Sequence, residues 1–209
     1  MPVVTRPAAA GGPDREVHSH TFVGVDLDFS LPSEHNPQFE LVTDLLNNAL
    51  TVQFGTPYDS LVSNIIAGNS LIIPVTVTSL TAHSIPSGVS FAREAWLEVL
   101  VIDNENDTLY QSGVVSDTTS LDISDPDLLL FTSYLIDSAD DTTGSVTDVS
   151  SIINNSLMAY SDRYKIYEVK IPTNITGEIK IHARMRFRSF RPDILRASHK
   201  NLLENLQIF

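Results

Sequence analysis

The sequence predicts a mainly β chain: an antiparallel, Ig-like β-sandwich with an extended N-terminal arm and two peripheral helices. Three observations carry this. Apolar residues recur with a period of two along 71–80 and again along 178–190. Residues 95–103 are almost wholly apolar, as a central strand covered on both faces would be. Only 19% of the 209 residues are charged, and Ser, Thr and Asn are plentiful, which suits a β-rich exported chain better than a helical cytosolic one.

Residues 1–17 hold three prolines and two adjacent glycines but almost no core material, so they predict an extended, mobile arm. Residues 18–209 are expected to form one sandwich domain. Val23, Val25, Leu27 and Phe29 alternate with Gly24, Asp26 and Asp28, the pattern of a half-buried strand or extended chain. Asn36-Pro37 opens a helix over 37–49, whose apolar face is Phe39, Val42, Leu46 and Leu50. Strands follow around Val52 and Phe54, over 61–67 before the turn at Gly68-Asn69, over 71–80, over 95–103 and over 108–111. Residues 116–162 are rich in Asp, Ser and Thr and predict a long insertion, with a loop at 137–151. A last pair of strands is expected over 164–171 and 178–190. In the second of these Ile179, Ile181, Ala183, Met185 and Phe187 face the core, while Lys180, His182, Arg184, Arg186 and Arg188 face away. Pro192 starts a C-terminal helix over 192–206.

A chain with 42% hydrophobic residues can bury a sizeable core. It has no cysteine, which removes disulfides, thiolate metal sites, thiol nucleophiles and any Cys-x-x-Cys-His haem attachment. No 18-residue apolar run is present, so no membrane span is expected. The first 13 residues lack an apolar signal core, as if a signal had been removed or the piece cut from something longer. Net charge is −13, which argues against a nucleic-acid partner. Its distribution is uneven: 3 basic and 22 acidic residues up to 162, then 10 basic and 4 acidic. Such asymmetry marks an internal electrostatic contact or a docking face.

One run carries more specific information. Ala82-His83-Ser-Ile-Pro86-Ser-Gly88 follows a strand; Arg93-Glu-Ala-Trp96-Leu97, Asp103-Asn-Glu-Asn-Asp107 and Tyr110-Gln-Ser112-Gly113 follow in order. Near the end stands Ala183-Arg-Met-Arg-Phe-Arg-Ser-Phe190-Arg-Pro192, and near the start Met1-Pro2 and His20-Thr-Phe22-Val-Gly24. This series resembles the haem-free C-terminal β-domain of multihaem c-type cytochromes of the cytochrome c554-like family. The departures are Ala82 for Gly and Ser87 for Thr. The resemblance covers 1–29, 71–113 and 164–195. It implies a haem c held covalently by another segment or chain, a haem-bearing cytochrome polypeptide as partner in a hetero- or homo-oligomeric assembly, and a periplasmic or extracellular location. It also implies that the chain begins just after a haem-attachment histidine.

Candidate haem axial ligands are His20, its neighbour His18, and His83, since a neutral imidazole binds haem iron well. Solvated histidines on an arm, and a structural histidine in a Pro/Gly-bounded turn, are the plainer readings of the same residues. Arg184, Arg186, Arg188 and His182 share one strand face and would repel unless they meet anions. Those anions are haem propionates, an acidic partner, or this chain's own acids. Asp103-Asn-Glu-Asn-Asp107 lacks the glycine and distal Glu of a calcium loop and predicts a hairpin turn. No catalytic residues are assigned: no Gly-x-Ser-x-Gly elbow and no metal-spaced histidine pair occur. The expected function is a non-catalytic haem-free module or subunit in periplasmic or extracellular electron transfer. A cell-surface Ig-like adhesion domain is the alternative, and a hydrolase or metalloenzyme a more remote one.

Overall fold

The computed structural model describes residues 3–18, 23–56, 66–198 and 200–209. It is mainly β, with antiparallel sheets, two α-helices and no closed barrel. In chain order the strands are β1 (Val3–Pro7), β2 (Asp14–His18), β3 (Leu50–Phe54), β4 (Ser70–Ser79), β5 (Glu94–Ile102), β6 (Thr108–Ser112), β7 (Leu129–Phe131), β8 (Ser133–Ile136), β9 (Thr142–Thr143), β10 (Ser151–Asn154), β11 (Asp162–Lys170) and β12 (Lys180–Arg188). The helices are α1 (Phe39–Asn47), between β2 and β3, and α2 (Pro192–Ser198), after β12.

Two sheets make the sandwich. In one, β4 lies between β11 and β3; in the other, β5 lies between β12 on one side and β6 and β7 on the other. Alternation decides what meets between them. Ile73, Val75, Val77, Tyr167 and Val169 point in from the first sheet; Ala95, Leu97, Val99, Val101, Phe131 and Phe187 point in from the second. Removing each such aliphatic side chain from water contributes about 1.5–3 kcal/mol. β5 is buried along most of both faces, as its apolar run predicts.

The turn from β5 to β6 is held by its first carboxylate. Asp103 Oδ1 accepts the backbone N–H groups of Glu105 and Asp107, each at 2.9 Å, and Asn106 takes the left-handed conformation at φ 67°. The Asp side chain thus holds the turn that the sequence predicts. Asp137 repeats the device, accepting from Ala139 at 2.8 Å and Asp141 at 3.1 Å.

Several expectations are corrected. The strands over 164–171 and 178–190 do not pair with each other: β11 adds to β4 and β12 to β5, so the link between them crosses from one sheet to the other. The arm is not merely extended, because β1 and β2 form a hairpin. Residues 23–29 keep the expected alternation of burial but join no sheet. The insertion at 116–162 contains β7 and a three-stranded sheet, β10-β8-β9. The C-terminal helix ends at Ser198, and a separate 3-10 helix spans Lys200–Asn205. The end of the chain is pulled back to β12, where Phe209 and Phe187 exchange two backbone hydrogen bonds of 3.0 Å, and a straight helix to 206 could not make that return. The strand expected over 61–67 lies outside the described residues except for Ile66 and Ala67, which are not in a strand.

Candidate functional site

Between the β3 edge of one sheet and the β12 edge of the other the sandwich is open, and α1 roofs the gap. The result is a mostly apolar groove of about 500 Å³. Its walls include Leu46 of α1, Leu50 and Val52 of β3, Ala183 and Met185 of β12, and the aromatic ring of Phe209. Val23, Gly24 and Val25 line it too, three to five residues after His20.

At the rim stands the turn that joins β4 to β5. Thr81 Oγ1 donates to the His83 carbonyl at 2.7 Å. Nδ1 of His83 lies 3.0 Å from the Ser84 carbonyl. A carbonyl only accepts, so Nδ1 carries the proton in the neutral ring and Nε2 keeps its lone pair. This backbone-oriented tautomer is the one a metal-binding imidazole uses. His83 is exposed. Below it the Ile85–Pro86 peptide is cis, and Ile85 exchanges two 2.8 Å backbone bonds with Leu157, which fastens the turn to the insertion.

Arg93 holds the groove wall in place. Its Nη1 donates to the Ser87 carbonyl at 2.6 Å, and its Nη2 reaches both Asp26 oxygens at 3.0 and 2.7 Å. One guanidinium therefore ties the histidine turn to the 23–27 segment. The resemblance marked Arg93 as part of a motif, but nothing in the sequence pointed to Asp26, 67 residues away. The groove itself was invisible in the sequence, since it is formed by edges that meet only in the fold.

The cationic face of β12 lies on the outer side of the second sheet, opposite Ile102, Leu100, Glu98, Trp96 and Glu94 in register. Arg188 is fully buried. It forms an ion pair with Glu94, donates to the carbonyls of Asp117 at 3.0 Å and Thr119 at 2.7 Å, and stacks 4.9 Å from the Trp96 ring centroid. The Glu94 contact is a close, buried ion pair. Burial raises the Glu94 carboxyl above its ordinary value against the opposing pull of Arg188. Glu98 serves both Arg184, at 2.5 Å, and Arg186, at 3.6 Å. Burial, and then repulsion from Arg184, lowers the Arg186 guanidinium from its ordinary value. Arg188 is thus occupied by this chain's own groups, whereas Arg184, with a side chain 60% exposed, and the exposed His182 remain open to solvent.

The structure brings His83, Arg184 and Arg186 to the groove. His18 ends β2, exposed and apart from the groove lining; His20 lies outside the described residues. No family model matches the sequence, and no curated protein matches it. The fold is similar to that in the crystal structure of a penta-heme cytochrome c552 from Thermochromatium tepidum. The TM-score is 0.59 at 17% sequence identity, over 79% of this chain and 38% of that one. At this identity the likeness is one of fold, and the chain spans well under half the length of that cytochrome.

Proposed function

We propose that this chain is a non-catalytic, haem-free module that packs its groove against the haem-bearing polypeptide of a multihaem c-type cytochrome, in periplasmic or extracellular electron transfer. The observation that carries the reading is the groove itself, an apolar cleft with a Nδ1-protonated histidine and arginines at its rim, in a fold similar to part of a penta-heme cytochrome. With no cysteine among these 209 residues, the haem of this proposal is held by another segment or another chain.

The groove residues suit the edge of such a group: Leu46, Val52 and Met185 would meet its apolar rim, Arg184 would reach a propionate, and Nε2 of His83 would face iron. Covering a haem edge removes water and raises the cost of a charge change at the iron, so a module without a redox centre still sets a potential. His20 and His18 are the alternative ligand donors within the same proposal.

The test is purification of the native assembly through this chain. A Soret band together with a haem-staining polypeptide in fixed stoichiometry supports the proposal. A colourless preparation that recovers this chain alone, from cells that make their full complement of cytochromes, overturns it.

A further inference from the structure

The β1–β2 hairpin is exposed at every strand position except half-buried Val17. A two-stranded hairpin alone in water is marginally stable. Its register sorts the side chains into two unlike faces. Val4 faces Val17 and Arg6 faces Arg15 on one side; Thr5 faces Glu16 and Pro7 faces Asp14 on the other. Like charges placed directly across an antiparallel pair repel. Yet among the described residues no carboxylate pairs with Arg6 or Arg15. The face therefore presents an apolar pair beside two uncompensated cations.

The complement stands on α1. Val42 is fully buried; Leu41, 51% exposed, and Leu45, 43% exposed, flank it, and Glu40 and Asp44 lie on the side away from it. Glu40 and Asp44, also exposed, run alongside as a second stripe, each four residues apart like the leucines, and among the described residues neither has an ion pair. The dimensions agree. Four residues of helix rise about 6 Å, close to the ~5 Å across a strand pair. The step from valine pair to arginine pair is about 7 Å along the strand, near the width between neighbouring helix stripes.

We propose that the hairpin of one molecule docks across α1 of a second copy of this chain, with Val4 and Val17 on Leu41 and Leu45, and Arg6 and Arg15 on Glu40 and Asp44. Charge complementarity and the matched apolar pairs select that occupant. In the two-fold arrangement of the proposal each hairpin meets the helix of the other copy, so the contact is made twice and the dimer is closed. This inference does not rest on the haem reading, although the two share Leu45, which also lines the groove.

Sedimentation velocity of the full chain over a concentration series tests it. The wild type should be a dimer. Arg6→Glu with Arg15→Glu should raise the dissociation constant at least about tenfold, with the melting transition of the separated subunits unchanged, because the hairpin lies outside the core. Adding Glu40→Arg and Asp44→Arg to that variant should restore the dimer, and rising salt should weaken the wild type. A wild type that stays monomeric at roughly 100 µM, where even a micromolar contact would be saturated, overturns the proposal. So does a dimer indifferent to the arginine reversals, or a reversed variant that the helix changes fail to rescue.

Discussion

Nε1 of Trp96 donates a 2.8 Å hydrogen bond to the carbonyl of Gly113, tying the middle of the central strand to the end of β6. The Trp ring is fully buried. Gly113 adopts φ +69°, and a Cβ there would sit 2.8 Å from the Leu97 carbonyl and 2.9 Å from Trp96 Cδ1. Gly113→Ala combines left-handed strain with a backbone collision and should cost about 2–4 kcal/mol. Trp96→Phe loses the bond and should cost about 1–3 kcal/mol. Urea unfolding of the two variants checks both values; an unperturbed Gly113→Ala would disprove the close approach.

Arg188 makes a second, electrostatic anchor. Replacement by Met leaves Glu94 buried without its cation and frees the carbonyls of Asp117 and Thr119, a loss of about 3–5 kcal/mol at neutral pH. The loss should depend on pH with a definite sign. Glu94 in the fold titrates above its ordinary 4.5, and Arg188 opposes that rise, so the variant should titrate higher still. A carboxyl raised in the fold contributes its stability fully below the unfolded midpoint and loses it as pH rises through the folded one. The gap between wild type and Arg188→Met should therefore narrow below about pH 4.5 and widen toward neutrality. Stability curves across pH decide this, and a gap that widens in acid contradicts it.

Arg93 should act on local order more than on the core. Arg93→Met removes its bonds to Asp26 and Ser87 and should cost about 1–3 kcal/mol. Amide exchange should rise at 23–27 and 83–88 and stay unchanged in β5. Uniform loss of protection across both sheets would show that Arg93 is not a local clamp.

The tautomer of His83 is open to direct measurement. Long-range nitrogen–proton NMR of the neutral ring should place the proton on Nδ1, because the Ser84 carbonyl at 3.0 Å can only accept. A proton found on Nε2 would remove the lone pair on which a ligand role depends.

Much of the sandwich was legible because its strands are long enough to show a period. β4 and β12 alternate over nine or ten residues, β5 is an unbroken apolar run, and the structure gives β12 the two faces its alternation predicts. The small sheet in the insertion was not legible. Its strands span only two to four residues, too few for any periodic signal, and they are joined by bonds to one another rather than by an apolar stripe. The fate of the β12 arginines was half legible. The sequence placed them on one face facing anions, but only the register with β5 set Arg188 beside Glu94 and Arg184 beside Glu98. The clamp from Arg93 to Asp26 left no trace, since it is a contact between residues with no shared pattern.

The central claim is that the groove lies against a haem. Because the chain has no cysteine, a single introduced cysteine carries a nitroxide at one known place. One label replaces Thr81 at the groove rim; the other replaces Ile166, 52% exposed on the outer face of β11, at the sheet edge away from β3. Electron-spin relaxation of both labels is then recorded in the purified assembly with its cytochrome oxidised. The account predicts strong enhancement at position 81 from nearby paramagnetic iron and none at 166. Slow relaxation at both positions, or enhancement at 166 alone, would contradict it.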